Sequence, residues 1–85
     1  MKVLIPTPLL SYTHQLSVQA AGSTIAEVLI DLDTQYPGIR FRMIDEQDRI
    51  RRHVRLFLRG RQVESIDERL DPDDELVIVQ ALSGG

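Results

Sequence analysis

The residues whose chemistry stands out in this chain are Gly84 and Gly85, the last two of the sequence. They follow an apolar run at 76–79 after only four further residues. Glycine has no Cβ and reaches backbone angles that other residues avoid, so two glycines make a thin, flexible thread. Such a thread can enter a narrow channel of another protein, with an unhindered carbon at its tip. A frayed chain end is the competing interpretation, since termini are commonly disordered.

The other side chains capable of chemistry do not form a catalytic or metal-binding pattern. His14 and His53 are the only histidines, and neither HxxxH nor HExxH spacing occurs. Five serines lack the sequence context of a nucleophile elbow. The acidic run at 71–75 resembles a calcium loop only in charge, because Pro72 interrupts it and the glycine and distal ligands are missing. We therefore expect a protein that is not an enzyme and that binds neither a metal nor a cofactor.

Charge is distributed unevenly along the second half of the chain. Six arginines and no acid lie between 49 and 61, whereas seven acids and one arginine lie between 64 and 75. A dipolar surface of this kind can orient an approaching partner, although two solvated loops of opposite sign would give the same pattern. An RNA-binding domain built on the arginine run is a further alternative. The net charge of −3 and the lack of interleaved aromatic residues beyond Phe57 argue against nucleic acid.

Length and composition predict one small soluble domain. Eighty-five residues give a modest core but no deep, enclosed active site. The chain has no cysteine, no apolar run long enough to span a bilayer and no signal-peptide pattern. We therefore expect a cytoplasmic protein that is monomeric alone and does not bind a membrane.

The first part of the chain predicts two strands. Residues 2–6 form an apolar strand that Pro6 and Pro8 end. Residues 15–20 alternate apolar and polar, which places Leu16, Val18 and Ala20 on one buried face. The two strands are close enough in sequence to form a hairpin across the connection at 7–14.

One helix is clearly marked. Thr24 and Glu27 have the spacing of a capping box, and Pro37-Gly38 ends the helical pattern. The apolar stripe comprises Ile25, Val28, Leu29, Leu32 and Tyr36, with Glu27, Asp31 and Asp33 away from it. Ile39, Met43 and Ile44 have the spacing of one further helical turn.

The last part of the chain predicts three more strands. Residues 54–58 form a strand, 59–61 a tight turn, and 62–63 the centre of a short strand. A second turn at 71–74 leads into the final strand at 75–81. The predicted domain is therefore residues 1–81, a mixed sheet of four to five strands carrying one main helix, an α+β arrangement.

A single helix covers only one face of such a sheet, so the apolar strands must expose side chains on the other. If the inward set faces the helix, alternation turns the outward set to the opposite side. The inward set is Val3, Ile5, Leu56, Leu58, Leu76 and Ile78, and the outward set is Leu4, Phe57, Val77 and Val79. Four apolar side chains on an uncovered face predict a partner-binding surface. The alternative is that the segment around Met43 folds over them.

Taken in order, these features resemble the ubiquitin-like sulfur-carrier proteins of the molybdopterin-synthase small-subunit and thiamine sulfur-carrier type. The resemblance rests on the strand at 2–6, the capped helix at 24–36, the segment 56–60 and the run 73–79 that leads to Gly84-Gly85. Tyr36-Pro37-Gly38 and the arginine-rich insert after it are similar to the longer members, including the carrier used for cysteine synthesis in actinobacteria.

The resemblance implies a β-grasp fold in which the first and last strands are parallel and central. It also implies that an adenylating, E1-like partner uses ATP and Mg²⁺ to activate the carboxylate of Gly85. Sulfur then displaces AMP and leaves a thiocarboxylate, which a sulfur-accepting synthase consumes in molybdopterin or cysteine biosynthesis. The carrier is a co-substrate, comparable to the small, non-catalytic subunit of a sulfurtransferase. Thiamine synthesis and tRNA thiolation remain alternative destinations.

The same resemblance assigns roles to the tail, residues 82–85. Gly85 supplies the reacting carbonyl, Gly84 lets the chain pass a tight channel, and Leu82 and Ser83 set the reach, with Leu82 as an anchor at the channel mouth. Leu4, Phe57, Val77 and Val79 form the docking face. Two other functions stay open: a protein modifier joined through Gly85 to lysines of its targets, and a binding module with an inert tail.

Overall fold

The computed structural model describes residues 1–81, and the predicted tail residues Leu82, Ser83, Gly84 and Gly85 lie outside the described residues. A five-stranded mixed sheet has the order β2-β1-β5-β3-β4. Its strands are β1 (Lys2–Leu4), β2 (Ser17–Gln19), β3 (Val54–Leu58), β4 (Arg61–Val63) and β5 (Glu75–Gln80). β1 and β5 are parallel, whereas every other neighbouring pair is antiparallel. The predicted mixed sheet, with the first and last strands parallel at its centre, is confirmed.

The connection between β1 and β2 contains helical structure that the sequence did not reveal. A 3₁₀ turn, Thr7–Leu9, runs directly into a short helix, α1 (Leu10–Thr13). Leu9 is fully buried, so the connection contributes to the core and does not merely link the strands. Pro8 suits the first turn of such a helix because its missing N–H would have no partner there.

The predicted burial of Leu16 is wrong. Its side chain is 66% exposed, whereas Val18 and Ala20 are each 5% exposed. β2 begins only at Ser17. Ahead of it, the Thr13 hydroxyl donates to the Gln15 carbonyl at 2.8 Å and accepts from the Gln15 N–H at 3.2 Å. The chain at Gln15 therefore follows a turn, and the alternation of faces applies only inside a regular strand.

The main helix, α2 (Ile25–Gln35), begins as predicted. The Glu27 N–H donates to the Thr24 hydroxyl at 3.2 Å, while the Glu27 carboxylate accepts from the Ser23 N–H at 2.7 Å. We call residues 64–75, which contain seven acids, the acidic segment. The N–H groups of Ile25 and Ala26 donate to two of its carbonyls, those of Glu68 and Ile66. This segment therefore satisfies first-turn donors that have no partner within the helix. Four side chains of the predicted stripe are fully buried: Ile25, Val28, Leu29 and Leu32.

The predicted helical turn after Pro37-Gly38 is also present, as α3 (Ile39–Met43). Gly38, the N-cap of this helix, adopts a left-handed conformation with φ of 96°, which glycine reaches without strain. Ile39, Met43 and Ile44 are fully buried in the same core as the α2 stripe. These three side chains therefore pack with α2 and the inward set of strand residues. Among residues 1–81 no helix has the length and apolar character needed to cross a membrane.

Candidate functional site

The sheet face opposite α2 carries the predicted outward set in adjacent positions. Leu4 pairs with Val77 across β1 and β5, and Val77 pairs with Phe57 across β5 and β3. These three side chains are half-buried, and Val79 is 44% exposed. All six residues of the inward set are in the core. The structure matches the predicted division of the strands into two faces, and partner binding at the outer face stays a prediction.

Polar and charged residues border this apolar centre. Ser17 pairs with Leu4 at one side of the row, and Gln62 pairs with Phe57 at the other. The Lys2 ammonium lies 3.6 Å from the Glu75 carboxylate near the start of β5. Arg55 pairs with Val79 toward the end of β5. An apolar centre with a polar border is the usual composition of a protein–protein interface.

The end of β5 fixes where the chain leaves the sheet. Gln80 pairs with Val54, and the Ala81 N–H donates to the His53 carbonyl at 2.9 Å. β5 lies between β1 and β3 in the sheet. Its pairing with β1 extends to Val77, opposite Leu4, and its pairing with β3 extends to Gln80, opposite Val54. Residue 81 therefore leaves the sheet beside the segment that precedes β3.

An ion pair that the sequence did not predict holds the opposite end of β5. Asp74 directly precedes this strand, and its side chain is only 7% exposed. It accepts from the Arg59 guanidinium and, at 2.8 Å, from the Asp71 N–H. The hydrogen bond from Arg59, followed by that from Asp71, lowers the pKa of the Asp74 carboxyl below its usual range. Asp74 therefore joins the turn before β5 to Arg59, which lies 15 residues earlier in the chain.

Arg59 reaches Asp74 because of the hairpin that carries it. The turn between β3 and β4 consists of Arg59 and Gly60, with φ angles of 52° and 77°. Positive values at both positions are those of a type I′ turn, which matches the twist of a β-hairpin. Arg59 is thus held at the end of the hairpin, beside the turn at Asp71 and Asp74.

This ion pair predicts an acid-sensitive contribution to stability. Because the folded pKa of Asp74 lies below the unfolded one, the contribution is complete above about pH 4 and is lost as the pH falls through the folded value. We expect Asp74→Asn to be less stable than the wild type at pH 7, with a difference that shrinks toward about pH 2. Urea unfolding at both pH values measures this. Asp73→Asn, at an exposed position in the same turn, is the matched control. An Asp74→Asn deficit that is independent of pH would contradict the assignment.

The two histidines lie on separate segments of the fold. His14 lies in a left-handed position after α1, and His53 lies just before β3, both with exposed side chains. Within residues 1–81, no group of three or more His, Asp or Glu side chains is placed to hold a metal ion.

Comparison with known proteins agrees with the resemblance inferred from the sequence. The family model described as the ThiS family matches residues 3–85. A Mycobacterium tuberculosis protein named "Sulfur carrier protein CysO" is 32% identical over 89 residues, which cover 98% of this chain and 96% of that protein. The predicted resemblance to the sulfur-carrier family is confirmed.

Solved structures agree with the fold. A chain in the crystal structure of the Amycolatopsis orientalis BexX/CysO complex superposes with a TM-score of 0.90 at 28% identity, covering 99% of this chain and 98% of that one. The solution structure of small archaeal modifier protein 1 from Methanosarcina acetivorans gives a TM-score of 0.81 at 20% identity, covering 99% and 94%. The second likeness concerns the fold alone. Together they confirm the predicted β-grasp fold.

Proposed function

This chain belongs to the ThiS family, and we propose from that premise that it is a sulfur carrier whose reacting group is the C-terminal carboxylate of Gly85. The family match extends to residue 85, and the CysO relative, itself named a sulfur carrier, aligns over nearly its whole length. That full-length similarity is the observation that carries the proposal. The described residues support it, because they present the end of a central strand and an apolar face.

The chemistry of the carboxylate requires activation by a partner. A C-terminal carboxyl has a pKa of about 3.3–3.7 and is ionised near neutral pH, which makes its carbon a poor electrophile. An adenylating enzyme with ATP and Mg²⁺ converts it to an acyl-adenylate and releases pyrophosphate. Hydrosulfide then attacks the carbonyl carbon, the bond to AMP breaks, and a thiocarboxylate remains. The catalytic groups belong to the partner, so this chain acts as a co-substrate and binds no cofactor of its own.

The outer sheet face is the proposed docking surface for such partners. Leu4, Val77 and Phe57 form one continuous row across the three central strands, with Val79 beside it. Removing this apolar row from water favours association, and its polar border limits nonspecific contact. The position of the row on the strand that leads to the tail lets one partner bind the face and receive the tail together.

The sequence analysis expects the sulfur to enter molybdopterin or cysteine biosynthesis. Similarity to CysO favours cysteine biosynthesis as the pathway. The BexX/CysO complex also supports the idea that a protein of this kind works while bound to another protein. We therefore propose an adenylating enzyme and a sulfur-accepting synthase of cysteine biosynthesis as the two partners.

Intact mass measurement tests the loading step directly. The full chain is incubated with candidate adenylating enzymes, MgATP and sulfide, and the product is analysed without proteolysis. We expect the mass to rise by the difference between one sulfur and one oxygen atom, and only when ATP is present. Covalent adducts to lysines of other proteins, without any thiocarboxylate, would instead support the modifier function and contradict a sulfur carrier.

A further inference from the structure

The nine arginines of the chain divide into two groups by their ionic partners. Four of them have a carboxylate within 4.0 Å: Arg40, Arg49, Arg59 and Arg61. Among residues 1–81, no carboxylate lies within that distance of the remaining five, which are Arg42, Arg51, Arg52, Arg55 and Arg69. Four of these five lie from α3 to the start of β3: Arg42 is in α3, Arg51 and Arg52 precede β3, and Arg55 is its second residue. We call Arg42, Arg51, Arg52 and Arg55 the arginine collar.

The arginine collar lies where the described chain leaves the sheet. Arg42 and Arg51 line one groove together with Gln80, the last residue of β5. Arg55 pairs with Val79, and Arg52 directly precedes His53, whose carbonyl accepts from the Ala81 N–H. Glu64 lines a neighbouring groove with Arg51, Arg52 and Arg55 but forms no ion pair with them. The positive charge is therefore concentrated around the tail exit.

Neutral groups hold two of these guanidiniums in position. The Arg51 guanidinium stacks 4.5 Å from the centre of the Phe41 ring, and its Nε donates to the Phe41 carbonyl at 2.7 Å. Arg55 donates to the carbonyls of Arg52 and Val54. Carbonyls and an aromatic ring orient a cation without cancelling its charge. Less side-chain entropy is lost when such an arginine binds an anion than when a free one does.

We propose that the arginine collar docks an acidic protein surface that borders the mouth of the partner channel receiving the tail. This inference rests on the proposed function and adds the charge of the partner surface to it. Opposite charges placed around an entry point increase the rate of productive encounter and orient the approaching chain. The apolar row and the arginine collar then meet different parts of the same partner.

Two other occupants fit the observations less well. A second copy of this chain offers an acidic segment, but Glu68, Asp74 and Glu75 in that segment already pair with basic side chains of their own chain. Nucleic acid would have to overcome the net charge of −3, and among the described residues that line the groove only Phe41 and His53 carry rings on which a base could stack. An acidic protein surface can bind the arginine collar without breaking ion pairs within this chain and without stacking on aromatic rings.

The test removes charge from the arginine collar and compares it with a matched loss elsewhere. The collar variant carries Arg42→Gln and Arg52→Gln, both at exposed positions, and keeps Arg51 because it packs on Phe41 and Arg55 because it borders the apolar row. The control variant carries Arg61→Gln and Arg69→Gln, which removes the same charge at exposed positions and leaves the tail exit unchanged. Circular dichroism spectra of both are expected to equal that of the wild type.

Stopped-flow association with the adenylating enzyme that loads the wild type measures the effect. At low salt we expect the collar variant to associate about tenfold more slowly, and the control variant to change less than about twofold. The difference should nearly vanish at about 0.5 M salt, because screening shortens the range of the attraction. Equal slowing of the two variants, or slowing of the collar variant that salt does not reduce, would overturn the proposal.

A second measurement does not depend on sulfur loading. A synthetic deca-glutamate peptide is titrated into the ¹⁵N-labelled full chain at low salt, with poly-uridine RNA as the competing probe. We expect amide shifts centred on residues 51–55 and 80–81 that the peptide induces in the wild type and control but not in the collar variant. Preference for RNA, or dimerisation that only the collar variant lacks, would overturn the acidic-protein assignment. Failure of the wild type to be loaded by any adenylating enzyme would count against the sulfur-carrier function, while the peptide titration still decides the collar.

Discussion

A variant that lacks Gly85 is expected to lose thiocarboxylate formation completely while its free energy of unfolding stays unchanged. Deletion moves the terminal carboxylate back by one residue, so the reacting carbon no longer reaches the adenylate-forming site. A displacement of about 3.5 Å is large when reacting atoms must approach within about 3–3.5 Å. Intact mass after incubation with the adenylating enzyme, MgATP and sulfide reports the loss.

A variant with one added C-terminal residue is the matched control for tail length. It keeps both glycines, but the Gly85 carboxylate becomes the carbonyl of a peptide bond. We therefore expect that this variant forms no thiocarboxylate either. Urea unfolding of both variants should match the wild type, because the described core comprises residues up to 78. Normal sulfur loading of either variant would contradict Gly85 as the reacting residue and, with it, the proposed mechanism.

Leu56 and Phe57 are expected to give opposite results although they are neighbours in β3. Leu56 is fully buried and pairs with Ile78, so Leu56→Ala should reduce the free energy of unfolding by about 3 kcal/mol. Phe57 is half-buried on the outer face, so Phe57→Ala should cost less than about 1 kcal/mol in stability. The same change should weaken binding to the adenylating enzyme about tenfold or more, because truncation of a central aromatic anchor is costly at an interface.

Urea unfolding and calorimetric titration of the two variants separate the two faces of the sheet. Leu56→Ala serves as the control for binding, since the folded fraction of that variant should retain the wild-type affinity. A large loss of stability in Phe57→Ala would mean that the outer face is part of the core. Unchanged affinity in the same variant would leave the outer face without a role in docking.

The accuracy of the sequence predictions depended on how local each feature is. Thr24 and Glu27 are three residues apart, and the cap and the helix that they predicted are present. Period-two alternation assigned Leu56 and Phe57 to opposite faces, as the structure has them. The same rule failed at Leu16, because the turn formed by Thr13 and Gln15 delays the start of the strand. Alternation says which side chains share a face but not where a regular strand begins.

The candidate site was predictable to the same extent. The outward set and the glycine pair came from the sequence, since a strand pattern and a short motif are both local features. Roles for Leu82, Ser83, Gly84 and Gly85 remain proposals outside the described residues. The Arg59–Asp74 ion pair was missed, because its partners are 15 residues apart and no local pattern links them. The helical connection with buried Leu9 was missed for a similar reason, since only its packing against the core stabilises it.

By itself, the sequence determined a mixed sheet with one main helix and the side chains that face away from that helix, because these follow from short-range periodicity, caps and turns. The β-grasp fold and the sulfur-carrier family came from the resemblance that the ordered motifs bear to a known family. Only the tertiary structure decided which arginines form ion pairs with carboxylates. The run at 49–61 reads as one basic block, yet Arg49, Arg59 and Arg61 meet carboxylates, while Arg51, Arg52 and Arg55 meet none among residues 1–81. Ion pairs depend on distances in space that sequence separation does not specify, so the location of the remaining positive charge appeared only in the folded chain.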